Sequence, residues 1–332
     1  MIISMPKRPT PRVVQLREIL AARLKGYSPG TRFLSNRAIS QRFGVSYQTA
    51  DRIVREMVSD GLLQRRQGSG TFVSGDFSTP ARVALCTHPR ARLAGTFGAH
   101  LVQMLREAFA GADMPLRVLY EEEQRLQDDE YPVIWELPSL VEAAAGARRR
   151  CLVLLSGPPL GEAARHVDSL TIDDYSGGYT AGQILRGRLP HTARCAILAG
   201  PKRDVRSRRR VEGFQLLWPK ARVIHAPSWQ REGAEKQAAS LMRSLPEGIF
   251  CVNDRLAEEV LTAYRSAGKT APLIVGFDNA PVAESLQITT VAIPWPAFIR
   301  EALLRVRAAL GGDRSPCRQT VLPVDPLYRL TA

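Results

Sequence analysis

Tyr47, Gln48, Thr49 and Arg52 lie together in the sequence and carry hydrogen-bonding ends on side chains long enough to reach base edges and phosphate oxygens. Ser46 precedes them, where a hydroxyl can accept from the free N–H groups that open a helix. Arg37, upstream, is placed to hold a phosphate. Arg65, Gln67 and Gly68 follow, a cation and two small or polar groups on what reads as a hairpin. Such a set suits contact with a polyanion better than bond-breaking chemistry.

Two short helices are needed to position these groups. Ser35 reads as an N-cap, Ala38, Ile39 and Phe43 as one apolar face, and Gly44 as a left-handed stop. From Ser46 the apolar residues Ala50, Ile53, Val54, Met57 and Val58 fall at i, i+3, i+4, i+7 and i+8, one buried stripe that Gly61 ends. Upstream, Pro11 can open a helix whose Val13, Leu16, Leu20 and Leu24 share a side. Beyond Gly61, Leu62 to Arg65 and Thr71 to Val73 pair around a Gln67–Gly70 tip. Helix, tight turn, helix and basic hairpin make a winged helix-turn-helix.

Charge is concentrated in the same stretch. Through Gly75 the basic side chains exceed the acidic ones by about nine, out of a net +14 for the whole chain. The segments PGTRF (29–33), GVS (44–46), GLL (61–63) and RRQGSGTFV (65–73) resemble the GntR family of winged helix-turn-helix regulators. That resemblance implies a DNA-binding domain over residues 1–75 that docks as a homodimer on an inverted repeat of double-stranded DNA. Ser46, Tyr47, Gln48, Thr49 and Arg52 would enter the major groove, with the wing at Arg65, Gln67 and Gly68 near the minor groove.

The remainder is globular in composition. At 332 residues and 45% hydrophobic content the chain can bury several cores. No apolar run reaches about 18 residues and no export-type leader is visible, so a cytoplasmic protein without membrane contact is expected. Cys86, Cys151, Cys195 and Cys251 each sit in or beside apolar runs, tens of residues apart, which fits buried thiols rather than a metal centre. The histidines, His88, His100, His166, His191 and His225, are scattered without a partnered nucleophile. No cofactor fingerprint, metal site or catalytic residue is expected.

Residues 76–81 have linker composition, and from Arg82 short apolar runs alternate with helical stretches: Val83–Cys86, Leu116–Tyr120, Cys151–Leu155, Ala196–Ala199, Arg222–His225, Gly248–Val252 and Leu273–Gly276. That alternation predicts parallel sheets flanked by helices, and about 250 residues of it suits two lobes. Four segments, IDDYSGGYTAGQIL (172–185), ILAGPKRDVRSRRRVEGF (197–214), CVNDRLAEEVL (251–261) and VGFDNAPVAESLQITTVAIP (275–294), resemble in order and spacing the effector domain of the LacI family. The resemblance implies a two-lobed fold like that of periplasmic sugar-binding proteins over 82–332, with a small polar effector in a cleft. In combination with the reader, it is similar to arabinose-responsive repressors. The lobes would comprise 82–189 with 296–310, and 190–294 with a last strand near 320–330. Residues 90–146 depart from the family pattern.

Asn253 and Asp278 each follow a buried strand, where polar groups face the carboxyl end of a sheet. Asn253 offers donor and acceptor to a hydroxyl, or caps the helix that follows; Asp254 reads as the cap. Asp278 can accept from adjacent sugar hydroxyls, or form a turn with Asn279. The resemblance assigns Arg208 to the effector and leaves Arg210 a structural role near Gly213. It places Trp229 where an aromatic stacks on ligand, core packing being the alternative. The function expected is a ligand-controlled DNA-binding regulator that acts as a repressor, its effector a sugar or sugar derivative. A ligand-independent DNA-binding protein and a GntR-type reader fused to an enzyme-like domain are the rivals.

Overall fold

The computed structural model describes residues 11–24, 27, 30–74, 80–121, 125–157, 159, 161–313 and 315–332. Most of the expected linker lies outside them. The reader consists of α1 (Pro11–Arg23), α2 (Asn36–Phe43), α3 (Tyr47–Ser59) and the hairpin β1 (Leu63–Arg66) and β2 (Gly70–Val73). Ser35 Oγ accepts from Ala38 N–H at 3.2 Å to open α2, and Gly44, at φ 62°, closes it in the left-handed region. The α3 stripe meets Leu16, Leu20 and Leu24 beside Phe33 and Ile39 in one small core. Each large apolar side chain removed from water there contributes roughly 1.5–3 kcal/mol.

Beyond it run β3 (Arg82–Thr87), α4 (Phe97–Gly111), β4 (Leu116–Tyr120), β5 (Glu130–Trp135), α5 (Pro138–Gly146), β6 (Cys151–Leu154), β7 (Val167–Ile172), α6 (Asp174–Arg186), β8 (Cys195–Ala199), α7 (Val205–Gln215) and β9 (Arg222–His225). There follow α8 (Glu235–Arg243), β10 (Gly248–Cys251), α9 (Asp254–Ser266), β11 (Leu273–Asp278), α10 (Pro281–Ser285), β12 (Thr289–Ala292), α11 (Trp295–Leu310), β13 (Gln319–Leu322) and β14 (Asp325–Leu327). Two sheets result, ordered β13-β7-β6-β5-β3-β4 and β14-β12-β11-β10-β8-β9. In the second, every pair is parallel except β12–β14.

The described chain divides into two compact units. One holds the reader, the first sheet and residues 299–320; the other holds 93–100, 171–298 and 321–332. The lobe boundary expected at 189 is therefore corrected: α6 belongs to the second unit, against α7 and β11. Glycine dictates this. A Cβ on Gly178 would stand 2.0 Å from the Arg210 carbonyl oxygen, and one on Gly213 would stand 2.0 Å from that of Tyr175. Only a backbone without side chains lets α6 and α7 approach so closely. The single terminal strand expected near 320–330 is likewise two strands, one in each sheet.

β5 was hidden in the sequence because EYPVIW, though buried at all six positions, carries a glutamate and a proline that interrupt its apolar run. Pro132 pairs only toward β3, since β6 joins β5 from Val133 onward. A residue lacking an N–H fits a strand at a point where one side is unpaired.

Candidate functional site

Ser46 Oγ accepts from Thr49 N–H at 3.1 Å and lies 2.9 Å from Thr49 Oγ1, so capping and the Thr49 hydroxyl are coupled. Tyr47, at 59% exposure, projects from the first turn of α3, and Gln48 and Arg37 are also exposed. Arg52 lies 4.0 Å from Glu56, one turn along. At the hairpin tip Gln67 and Gly68 are exposed, Gly68 with φ 74°, and Arg66 stacks 4.7 Å from the Phe72 ring centroid.

One acidic residue organises this face. Asp51 accepts from Arg65 at 2.5 Å, Arg55 at 2.8 Å and Asn36 at 2.8 Å, tying α2, α3 and the wing together. The hydrogen bond from Arg65 holds its carboxyl below the ordinary range, with slight burial opposing. Sequence reading missed this role because a lone Asp amid arginines carries no motif.

The second unit gathers its polar groups at the carboxyl ends of its parallel strands, where open α/β sheets present groups to ligands. Asp278 ends β11, Asn253 follows β10, Gly200 follows β8 and Trp295 follows β12. At their centre is Arg210, 4% exposed. Its Nε donates to Asp174 at 2.7 Å, and its Nη1 donates to the Val252 carbonyl at 2.6 Å and to Asp278 Oδ1 at 3.0 Å. The guanidinium stacks 3.6 Å from the Phe277 ring centroid and 5.6 Å from that of Trp229. Neither Arg210 Nη2 nor Asp278 Oδ2 is hydrogen-bonded to a described residue.

Trp229 donates its Nε1 to Asp204 at 2.9 Å and carries Arg206 over its ring at 5.1 Å. Burial opposes ionisation of Asp204, but hydrogen bonds and charge from Arg206 keep its carboxyl below the ordinary range. Asn253 is the α9 N-cap: its Oδ1 accepts from Leu256 N–H at 2.8 Å, while Nδ2 donates to the Trp229 carbonyl at 2.8 Å. The cap expected of Asp254 thus falls to Asn253. Asp254 itself is fully buried, accepting from Thr290 at 2.7 Å and Ala280 N–H at 2.8 Å, and burial pushes its pKa well up. Burial also raises Asp278 to about 6, against the pull of Arg210.

Arg208 does not join this group. Two residues along a helix is a rotation of about 200°, so when Arg210 faces inward Arg208 faces solvent, its side chain 59% exposed and 3.6 Å from Glu212.

Comparison with known proteins bears on both regions. Residues 14–73 match the gntR family of bacterial regulatory proteins, and residues 152–286 match a periplasmic binding protein domain. The chain joins a gntR-type reader to a periplasmic-binding-protein-like domain. It is 29% identical over 156 residues to the HTH-type transcriptional regulator MalR of Streptomyces coelicolor, covering 42% of this chain and 45% of that protein. The chain therefore spans about half the length of the curated relatives it matches. In fold it is similar to a LacI family transcriptional regulator from Enterococcus faecium with bound ribose, at TM-score 0.63 and 19% identity, covering 76% of this chain and 98% of that one. The lac repressor dimer bound to operator and an anti-inducer aligns with TM-score 0.60 and 16% identity, covering 76% and 94%.

Within the periplasmic-binding-protein-like domain, sequence reasoning missed Asp174 and the centrality of Arg210. The signal was the Gly213 spacing: the arginine one turn before a glycine that abuts α6 is the one turned inward. It missed an aromatic cluster too. Trp295 lies 5.5 Å from Phe97, 6.2 Å from His100 and 5.7 Å from Phe298, centroid to centroid. Its indole Nε1 is buried with no hydrogen-bond partner among the described residues. None of the described helices is long and apolar enough to cross a membrane.

Proposed function

We propose that this protein is a dimeric transcriptional regulator, a repressor, whose hold on an inverted-repeat operator is governed by a small neutral sugar bound at the strand ends of the second unit. The observation that carries the ligand half is the open pair on Arg210 and Asp278. Nη2 is a donor and Oδ2 an acceptor, adjacent on groups already locked by Asp174 and Val252. Such a pair suits vicinal hydroxyls, and indole faces at Trp229 and Trp295 suit the apolar face of a sugar ring. Charge favours a neutral ligand: Arg210 is matched by Asp174 and Asp278, and Arg206 by Asp204. The ribose in the Enterococcus faecium regulator supports this class. Asn253 acts here as the support of Trp229, and Arg210 takes the part assigned from sequence to Arg208.

For the DNA half, Tyr47, Gln48, Thr49 and Arg52 read the major groove, Ser46 presents the helix, Arg37 and Arg65 meet phosphates, and Gln67 and Gly68 carry the wing toward the minor groove. With about four phosphate contacts per protomer, log affinity should fall against log salt with a slope on the order of −7. Titration calorimetry of the full chain against pentoses, hexoses and sugar acids tests the ligand half. A saturable neutral-sugar signal lost in Asp278→Asn is expected, and response to sugar acids alone defeats it. Duplexes selected from a random pool should converge on an inverted repeat.

A further inference from the structure

The first unit contains a cavity of about 330 Å³ that the proposed reading leaves unused, with Arg17 and Asp60 from the reader on its wall, Arg148, Arg150, Arg165 and His166 from the sheet domain, and the carboxylates Asp128, Glu130 and Asp313 also lining it. Its volume is of the size that takes a small molecule. Three consecutive arginines leave the end of α5 and have different fates. Arg149 donates to the carbonyls of Gln127 and Glu130, and Arg150 donates to the Asp313 carbonyl at 2.7 Å and to Asp168 at 3.0 Å. The exposed Arg148 side chain makes no hydrogen bond or ion pair with a described residue, and Arg148 lines the cavity.

Its backbone is unusual as well. Arg148 sits at φ 55°, just after the α5 C-cap, with its N–H bonded to Ala145 O at 3.0 Å and that of Arg149 to Ala144 O at 2.8 Å. Glycine is the favoured residue there, since a side chain is strained in that conformation. A strained arginine facing a cavity without a partner is a group kept for something other than the cap. Arg165, which also lines the cavity, is held only loosely, 3.3 Å from Ser59 Oγ and 4.0 Å from Asp60. The Asp60 charge is already met by Arg17, which also lies 3.9 Å from Glu56.

We propose that this cavity is a second ligand site, one that takes a phosphate group, free or esterified to a small polar molecule, between Arg148 and Arg165. Both cations can form charge-assisted hydrogen bonds to its oxygens. The site rests on the first unit alone and stands apart from the sugar reading. It lies against Asp60 at the C-cap of α3, so an occupant there touches the end of the reading helix.

The test is thermal unfolding of the full chain against inorganic phosphate and ribose 5-phosphate, with ribose as the neutral arm and chloride holding ionic strength constant. A saturable rise in Tm is expected for both anions, the tighter naming the source. Arg148→Gly relieves the strained φ, so its Tm without phosphate should equal or exceed that of the parent, while the half-saturating concentration rises at least tenfold. An Arg37→Ala/Arg52→Ala double variant should keep the parent response. The proposal is overturned by a rise that never saturates, by an unchanged midpoint in Arg148→Gly, by loss of the response in the reader double variant, or by an Arg148-dependent response to ribose.

Discussion

The DNA-reading face and the Arg210 group are both built from arginines and carboxylates, yet they use them in opposite ways. On the reader the pairs are exposed: Arg55 is 65% and Arg65 41% exposed beside Asp51. In the second unit Arg210 and its two carboxylates are almost wholly removed from water. Exposed pairs are worth little to stability and are free to exchange partners with a phosphate. Buried pairs hold one geometry, and breaking them leaves a charge with nowhere to go. The reader keeps its cations available, whereas the second unit spends most of its polar groups on fixing the few left open.

The largest expected effect breaks that contrast at its centre. Arg210→Ala leaves Asp174 and Asp278 buried without their cation and should cost about 3–5 kcal/mol of stability, read by urea unfolding. Arg208→Ala, on the solvent side of the same helix, should change stability by less than about 0.5 kcal/mol. Equal costs for the two would mean that α7 is turned the other way.

How far each region could be read from sequence follows the same division. The reader's caps, stripe and hairpin lie within a few residues of one another, so local rules locate Ser35, Gly44 and Ser46 where they stand. The Arg210 group draws residues from α6, α7 and the ends of β10 and β11, through hydrogen bonds that span 36, 42 and 68 positions. Strand ends pointed to Asp278 and Asn253 and the family resemblance to Trp229 and Arg208, while the inward turn of Arg210 is set by the close approach of Gly178 to the Arg210 carbonyl and of Gly213 to that of Tyr175, between distant segments. β5 escaped for another reason: Glu130 and Pro132 interrupt its apolar run, whereas the equally buried β6, β8 and β10 are continuous apolar runs.

Arg52→Ala sharpens the contrast from the reader's side. It should weaken operator binding by about 1–2 kcal/mol and reduce the salt slope by about 1, with the unfolding midpoint unmoved. Fluorescence anisotropy across a salt series measures both. A fall in stability comparable to that in affinity would make Arg52 part of the fold rather than of the reading face.

Protonation probes the buried group more gently. Asp278 is raised from 3.8 to about 6 in the folded chain, so folding favours its protonated form. Its stabilising contribution is complete below the unfolded value and is lost as pH rises through about 6. Parent stability should therefore decline across that window relative to Asp278→Asn, in which this step is absent. Sugar binding should run the other way, weakening below about pH 6 as the acceptor is protonated. Identical pH profiles for parent and variant would detach Asp278 from both effects.

Only a small change in stability is expected at Asp51, and it tests the reader's side of the comparison most directly. Asp51→Asn removes the carboxylate that holds Arg55 and Arg65 but keeps an amide oxygen for Asn36. Because these pairs are exposed, the loss should stay below about 1 kcal/mol. DNA binding should respond in two opposite ways. If this face meets phosphates as proposed, removing a negative charge from it strengthens contact with any duplex, so affinity for random DNA should rise and the salt slope steepen by up to about 1. Freeing Arg65 unties the wing from α3, so discrimination between the selected operator and random DNA should narrow. Competition binding of both duplexes at two salt concentrations measures the two effects together. If discrimination is unchanged while random binding rises, Asp51 is only a charge on the surface, and the wing is positioned by the hairpin and the Arg32–Phe72 bridge alone.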